Sequence, residues 1–272
     1  MKTVLTIAGS DCSGGAGIQA DIKTITMHHC YAMSVITALT AQNTTGVYGI
    51  EQTGDDFIAN QLDCVFTDIF PDSVKIGMVY GNNSAKVIAD KLRLYSAKNI
   101  VTDPVMVSTS GSRLISDNGL EMLKKHLLPI STLITPNVPE AEILSRIKIG
   151  SVSDMQKSAS IIAEKFGCSV LCKGGHLENC SDDLLYHNGK FYTYPSVKIN
   201  NSNTHGTGCT LSSAIASNLA LGYDIPRATE LAKKYAKAYV TKAIGVKLDL
   251  GNGRGPLMHN YILNEIRKAD EI

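Results

Sequence analysis

Short apolar runs rich in β-branched residues alternate with amphipathic stretches along most of this 272-residue chain. Apolar runs between turn residues predict buried strands, and apolar residues at three- and four-residue spacing predict helices. The predicted strands are residues 3–8, 34–40, 73–77, 99–103, 133–135 and 169–173, with a hairpin at 184–195 around Asn188-Gly189. This alternation predicts an α/β fold, a mostly parallel sheet with helices on both faces.

Helices are predicted between and after these strands. They cover residues 17–29, 55–68, 84–96, 117–128, a segment opened by Pro139, 153–166, 209–221 and 226–244. Pro139 suits the first turn of its helix, where an amide hydrogen is not needed. Because no low-complexity linker or internal repeat interrupts the series, we predict one domain, residues 1–272.

The composition excludes several classes of partner. The formal net charge is +1, so the chain lacks the basic surplus typical of proteins that bind nucleic acid or an anionic membrane. The apolar run at residues 4–8 is too short for a signal segment or a membrane span. Seven cysteines, an odd number in scattered positions, suit a reducing compartment, so we expect a cytoplasmic protein.

One glycine-containing loop directly precedes a predicted helix near the end of the chain. Residues 205–210 read His-Gly-Thr-Gly-Cys-Thr. Such a loop points the backbone N–H groups of Gly206, Thr207 and Gly208 at one spot and adds the positive end of a helix, which together form an anion hole. A cysteine at its mouth is expected to have a lowered thiol pKa, so Cys209 is a candidate acid or base.

Polar side chains follow three of the predicted parallel strands. Asp103 ends one strand, Asn137 and Glu140 follow the next, and Lys173 ends a third. The carboxyl ends of parallel strands share one edge of a sheet, where ligands bind. Carboxylates hold Mg²⁺, a lysine offsets phosphate charge, and N–H donors receive the charge on a transferred phosphoryl group. The combination predicts phosphoryl transfer from ATP.

Two other nucleotide motifs are rejected. Residues 15–20 fit the spacing of a dinucleotide-binding loop, but residues 39–42, at the end of the second predicted strand, read Leu-Thr-Ala-Gln and lack the acidic residue that a ribose requires. The only Gly-Lys pair, Gly189-Lys190, is followed by Phe191 rather than by serine or threonine, so no phosphate-binding P-loop is present. An ATP site in this chain is therefore of another kind.

Several stretches together resemble the hydroxymethylpyrimidine/phosphomethylpyrimidine kinases of the ribokinase superfamily. They are residues 5–23, 36–44, 103–106, 134–137, 139–140, 173–176, 203–209 and 253–256. The resemblance implies a ribokinase-like three-layer α/β/α fold, ATP with Mg²⁺, and a homodimer. It also implies two reactions of thiamine biosynthesis: phosphorylation of 4-amino-5-hydroxymethyl-2-methylpyrimidine, and then of its monophosphate to the diphosphate.

The resemblance also implies a role for each matching residue. For ATP it implies Asp103, Asn137, Glu140, Lys173 and Lys237, with Asp103 and Glu140 as the metal ligands. For catalysis it implies Cys209, Lys173 and the anion hole of Gly206, Thr207 and Gly208. For the pyrimidine it implies Gly9, Asp21, Thr40, Gln42, Met78 and Val105. Core packing is the alternative for Met78 and Val105, and a helix-surface charge is the alternative for Asp21.

Two of these roles also have a physical argument. The planar amide of Gln42 offers a donor and an acceptor side by side, which matches an amino group beside a ring nitrogen. Pyridoxal lacks that amine edge and would leave the amide unpaired. Cys209 stands where most sugar kinases of the superfamily carry aspartate, so we expect it to accept the proton of the hydroxymethyl group.

Three alternatives remain open from the sequence. A pyridoxal or pyridoxine kinase would use the same fold and ATP site. A non-catalytic pyrimidine-binding protein would have little use for Asp103, Glu140 and Lys173. A cysteine-dependent hydrolase or acyltransferase would use Cys209 as a nucleophile, with His205 as its base.

Overall fold

Nine strands form one sheet. The computed structural model describes residues 1–107, 114–175, 182–196, 205–245, 250–253 and 255–260, with the backbone alone over 237–245. The strands are β1 (Thr3–Asp11), β2 (Tyr31–Asn43), β3 (Gly46–Gln52), β4 (Ser73–Ile76), β5 (Ile100–Thr102), β6 (Leu133–Ile134), β7 (Ser169–Cys172), β8 (Asp183–His187) and β9 (Lys190–Tyr194). All the strands predicted from the sequence are present.

The sheet is mixed and mostly parallel, as predicted. Its strand order is β3-β2-β1-β4-β5-β6-β7-β8-β9. Pairs from β2 across to β7 are parallel, and the antiparallel pairs β2–β3, β7–β8 and β8–β9 lie toward the edges. The chain runs outward from β1 in one direction and then from β4 in the other. The boundary between β1 and β4 is therefore the switch point beside which open α/β sheets bind ligands.

Helices cover both faces of the sheet. They are α1 (Gly17–Met27), α2 (Asp55–Phe66), α3 (Ser84–Leu94), α4 (Asp117–Met122), α5 (Val138–Ser145), α6 (Val152–Phe166), α7 (Thr207–Ala220) and α8 (Ile225–Gly245). Adjacent residues of β1 face opposite layers: Val4 packs with α1, α7 and α8, and Leu5 with α2, α3, α5 and α6. This confirms the three-layer α/β/α prediction. None of the described helices is long and apolar enough to cross a bilayer.

Three local differences from the sequence predictions have physical causes. Strand β3 was not predicted because it is a short, half-exposed edge strand with two glycines. Strand β2 runs to Asn43 rather than to residue 40. The helix predicted at 117–128 ends at Met122 and continues as a π-helical turn and a 3₁₀ turn, because Pro129 cannot continue an α-helix. The division into a single domain stays a prediction.

Candidate active site

Asp103 and Lys173 meet at the carboxyl edge of the sheet, as predicted. Lys173 Nζ donates to Asp103 Oδ1 over 2.8 Å, and the hydroxyl of Thr135 donates to the same oxygen over 3.2 Å. Asp103 follows β5, Thr135 follows β6 and Lys173 follows β7, so three neighbouring parallel strands place these groups. Burial disfavours the ammonium of Lys173, but the carboxylates of Asp103 and Glu140 outweigh it and raise the pKa of Lys173 above its usual range. The lysine is cationic at neutral pH.

Asn137 and Glu140 cap the start of α5. The side chain of Asn137 accepts from the Glu140 amide over 2.9 Å, and the carboxylate of Glu140 accepts from the Asn137 amide over 2.8 Å. This reciprocal capping box holds Glu140 at 5% exposure beside the first pair. Burial raises the pKa of Glu140 to about 7, with Lys173 opposing the rise and Asp103 adding to it. Two carboxylates therefore share one buried lysine.

The glycine loop lies directly against this group. Helix α7 begins at Thr207, two residues before the predicted start, and Gly206 precedes it with φ of 84°. A Cβ on Gly206 would overlap the carbonyl oxygen of Gly15, so only glycine fits there. A Cβ on Gly208 would stand 3.2 Å from Asp103 Oδ2 and 3.5 Å from Lys173 Nζ. The N-terminus of α7 thus faces the same space as the carboxylate–lysine pair.

Cys209 lies in the first turn of α7, but the predicted lowering of its pKa is wrong. Burial raises the pKa of the Cys209 thiol to about 11. Lys75 and a hydrogen bond from the Gly17 amide act in the opposite direction, while the carboxylates of Asp21 and Asp103 add to the rise. Loss of water and two nearby anions outweigh the helix end and one lysine. The thiol is therefore protonated at neutral pH.

A buried ion pair underlies Cys209, and sequence reasoning missed half of it. The carboxylate of Asp21 accepts from Lys75 Nζ over 2.7 Å, from Thr6 over 2.6 Å and from Ser213 over 2.8 Å. Asp21 and Lys75 are completely buried, so the helix-surface alternative for Asp21 is wrong. Lys75 has a signal in the sequence, since it is the one charged residue of the strand β4, Ser73–Ile76. A charge within so short a buried strand requires a partner.

Replacing Lys75 with methionine is expected to lower the free energy of unfolding by about 3–5 kcal/mol, because it leaves the Asp21 carboxylate buried without a counterion. The double variant Lys75→Met/Asp21→Asn removes both charges and should recover most of the loss. Urea denaturation of both variants measures this. Lys91→Met is the control, because it breaks a partly exposed pair with Asp63 and should cost about 1 kcal/mol or less. A Lys75 variant as stable as the control would contradict the expectation.

Four of the residues implied for the pyrimidine lie together near the carboxyl ends of β1 and β2. Met78 is buried at 9% exposure, Val105 packs against it, and a Cβ on Gly9 would stand 3.2 Å from the Met78 sulfur. Thr40 donates its hydroxyl hydrogen to the carbonyl of Ser10 over 2.9 Å. These groups make an apolar wall with one hydroxyl at its rim. Asp21 is engaged in the ion pair described above.

Gln42 reaches a histidine and an aspartate that the sequence did not predict for the pyrimidine site. Its Nε2 lies 3.0 Å from Nε2 of His205, and that same ring nitrogen lies 3.0 Å from Oδ2 of Asp11. Burial raises the pKa of Asp11, but hydrogen bonds from His205, Ser13 and Ala16 outweigh it and lower that pKa to about 2. The glycines of residues 14–17 thus form a loop around the Asp11 carboxylate.

The predicted nucleotide contact of Lys237 stays a prediction, because that side chain lies outside the described residues. One helical turn earlier, Lys233 donates to Asp183 Oδ2 over 2.6 Å. The other oxygen of Asp183 accepts from the Gly174 amide over 3.0 Å. Helix α8 is therefore linked through Asp183 to Gly174, the residue that follows Lys173.

The donor atoms of the site suit Mg²⁺. The carboxylates of Asp103 and Glu140 are hard oxygen donors, and the charge of Asp103 adds to the rise in the pKa of Glu140. Within the described part of the chain, no cluster of three or more His, Cys, Asp or Glu side chains could hold a metal. Magnesium needs no such cluster, since one or two carboxylates with phosphate oxygens and water complete its coordination.

Comparison with known proteins identifies the family. Residues 11–258 match the family model described as phosphomethylpyrimidine kinase. The chain belongs to the phosphomethylpyrimidine kinase family. A hydroxymethylpyrimidine/phosphomethylpyrimidine kinase of Rhizobium meliloti is 43% identical over 94% of this chain and 96% of its own. A thiamine biosynthesis bifunctional protein of Geobacter sulfurreducens is 45% identical over 97% of this chain, which spans only 54% of that protein.

Solved structures of similar proteins show which fold this member of the phosphomethylpyrimidine kinase family has. A phosphomethylpyrimidine kinase of Clostridium difficile is 45% identical, with a TM-score of 0.79 over 90% of this chain and 100% of that one. A pyridoxal kinase of Staphylococcus aureus in complex with AMP-PCP and pyridoxal is 33% identical, with a TM-score of 0.86 over 95% of this chain and 93% of that one. The ribokinase-like fold is confirmed, and it is shared by kinases of two substrate classes.

Proposed function

We propose that this protein is an ATP- and Mg²⁺-dependent kinase that phosphorylates 4-amino-5-hydroxymethyl-2-methylpyrimidine and then converts the monophosphate to the diphosphate, in thiamine biosynthesis. One observation carries the proposal. The N-terminus of α7 lies against the Asp103–Lys173 pair, so N–H donors, a cation and a carboxylate face one space. That is the set of groups that phosphoryl transfer needs.

In this proposal Asp103 and Glu140 hold Mg²⁺, which supplies neutralisation of the phosphate charge. Lys173 offsets negative charge on the phosphates of ATP. The backbone N–H groups of Gly206, Thr207 and Gly208 receive the charge on the transferred phosphoryl group. Asn137 contributes by holding Glu140 in place through the capping box.

The proposed role of Cys209 is to accept the hydroxymethyl proton. The raised thiol pKa defines how it can do so: a small thiolate fraction is present at neutral pH, and each thiolate is a strong proton acceptor. The positive charge of Lys75 favours that thiolate. A loose phosphoryl-transfer transition state makes modest demands on the base, so such a group suffices.

The structure bears on the alternatives. A hydrolase would pair His205 with Cys209, but the Nε2 of His205 contacts Asp11 and Gln42. A pyridoxal kinase is the second candidate, because a kinase structure that contains pyridoxal has the same fold. The amide of Gln42 at the end of β2 favours the aminopyrimidine, since a ligand without an amine edge leaves that amide unpaired.

Two further expectations belong to the proposal. Exposed apolar side chains on β2 and on the edge strand β3, Leu39 at 53% and Tyr48 at 70%, support a homodimer. Six described cysteines are free thiols, which supports a cytoplasmic location.

A product assay tests the proposal. The protein receives ATP, Mg²⁺, the hydroxymethylpyrimidine and pyridoxal together, and mass spectrometry follows all phosphorylated products. We expect the pyrimidine monophosphate, then the diphosphate, with little pyridoxal phosphate; a parallel reaction with EDTA should give none. Mainly pyridoxal phosphate would transfer the assignment to the second candidate. Absence of product from both substrates would contradict a kinase.

A further inference from the structure

The amide of Gln42 has mismatched partners when its nitrogen faces His205. Its Nε2 faces Nε2 of His205 at 3.0 Å, and that ring nitrogen also faces the Asp11 carboxylate at 3.0 Å. A carboxylate only accepts hydrogen bonds, so the contact with Asp11 places a hydrogen on His205 Nε2. This nitrogen has one hydrogen, which Asp11 and Gln42 can only share, so the NH₂ of Gln42 would be a second donor facing it. Only an oxygen of Gln42 fits at that position.

The other end of the amide gives the same result independently. Oε1 of Gln42 lies 3.4 Å from the hydroxyl of Thr40. That hydroxyl has one hydrogen, which it donates to the Ser10 carbonyl over 2.9 Å. Its remaining capacity is to accept, so it suits the NH₂ of Gln42 and not the oxygen. Rotating the amide by a half-turn satisfies both contacts, and amide oxygen and nitrogen are properly assigned from their partners.

The histidine is well placed to enforce this orientation. His205 is buried at 6% exposure. Its ring packs so closely on Gly15 that a Cβ on Gly15 would overlap the ring. Pro256 pairs with the backbone of His205 in an isolated β-bridge. Asp11 is itself held by the amides of Gly15 and Ala16, over 3.1 and 2.9 Å. The ring nitrogen Nε2 of His205 is therefore fixed in space.

We propose that the Asp11–His205 pair is a specificity-determining device that locks the Gln42 amide with its oxygen toward His205 and its nitrogen toward Thr40. Each end of the amide keeps one unused hydrogen-bonding site for a ligand. The ligand must then present an amine toward His205 and a ring-nitrogen acceptor toward Thr40. This deepens the proposed function and rests on it. His205 acts through Gln42 and is a positioning residue.

The matching pair of probes is the aminopyrimidine and its 4-oxo counterpart. The second has a carbonyl in place of the amine and a hydrogen on the neighbouring ring nitrogen, so its donor and acceptor are reversed. A locked amide accepts the first pattern and rejects the second. An amide that is free to turn pairs with either. The ratio of the two dissociation constants therefore reports the lock and not the overall fold.

The test compares the unaltered chain with His205→Phe, which keeps a ring but removes the donor, and with His205→Gln, which keeps a donor. Calorimetry gives the dissociation constant of each probe, and the melting temperature and the KM for ATP control for folding. We expect His205→Phe to lower the binding ratio of the two probes by about 10-fold, the value of one hydrogen bond. It should raise KM for the aminopyrimidine more than it lowers kcat, and His205→Gln should restore most of the ratio.

The outcomes separate this inference from the proposed function. An unchanged ratio in His205→Phe, with the aminopyrimidine still bound, overturns the inference. If His205→Phe and His205→Gln lower the ratio by the same amount, the inference is also overturned, because the hydrogen-bond donor that glutamine keeps then has no effect on the ratio. Discriminating binding by the unaltered chain without phosphorylation contradicts the proposed function and supports the lock when the ratio falls in His205→Phe.

Discussion

Replacing Lys173 with methionine is expected to lower kcat for the first phosphorylation by about 10²–10³-fold, the usual cost of one group that stabilises transition-state charge. The ammonium lies 2.8 Å from Asp103 and close to the N-terminus of α7, so its loss leaves two neighbouring carboxylates and the phosphates of ATP without a protein cation. Affinity for the pyrimidine should change little, because Gln42 and Thr40 are on other strands. Steady-state kinetics with both substrates measures the separation.

Lys124→Met is the matched control for this substitution. Lys124 has 18% side-chain exposure against 17% for Lys173, and it pairs with Glu121 through a single carboxylate oxygen. The control makes the same lysine-to-methionine change at a position away from the carboxyl edge of the sheet. It should leave kcat within about 2-fold of the unaltered chain, because surface ion pairs contribute little. Equal activity of the two variants would show that Lys173 is a structural lysine.

The pH dependence of the reaction should report Cys209. A thiol with a pKa of about 11 is almost entirely protonated at neutral pH, so kcat/KM should rise by about tenfold per pH unit between about pH 8 and 10. The window begins above the pKa of Glu140, which is about 7, so the Glu140 carboxylate is already ionised and does not contribute to the slope. A raised pKa means that alkali is needed to ionise the thiol, which fixes the sign of the effect.

Substitution isolates the contribution of Cys209. In Cys209→Ala the slope should disappear and kcat should fall by about 10²–10⁴-fold, the range for a lost general base. Cys64→Ala changes an exposed free thiol and should keep the slope. The measurement is initial rate against pH for the three proteins at saturating ATP. A flat profile in the unaltered chain, or a slope that survives in Cys209→Ala, would remove Cys209 from the proton transfer.

The sequence could predict whatever depends on short-range pattern and on strand ends. The layers followed from alternation, and the meeting of Asp103 with Lys173 followed from the common edge of parallel strands. The hairpin turn was also correct, since Asn188 and Gly189 have φ of 49° and 74°. Each of these features depends on the local conformational preference of a residue type or on a general rule of the fold class.

The features that the sequence could not predict depend on contacts between residues that are distant along the chain. The pKa of Cys209 is set first by burial and then by Lys75, Asp21 and Asp103, which come from three other parts of the chain, so the helix end alone gave the wrong sign. The contact between Gln42 and His205 spans 163 residues and has no spacing rule. Strand β3 was missed because it is short, half-exposed and contains two glycines, so it has no apolar pattern of its own.

The interlocking of Gly206 with the loop at Gly15 has a consequence for the order of folding. Contacts that span 194 and 192 residues, from Asp11 to His205 and from Asp21 to Ser213, complete the site. Closing so long a segment costs entropy that only a largely assembled sheet can offset, so these contacts form late. A ribosome must therefore synthesise about three-quarters of the chain before the residues of the active site can come together. Activity is gained at the end of folding, after the sheet has formed.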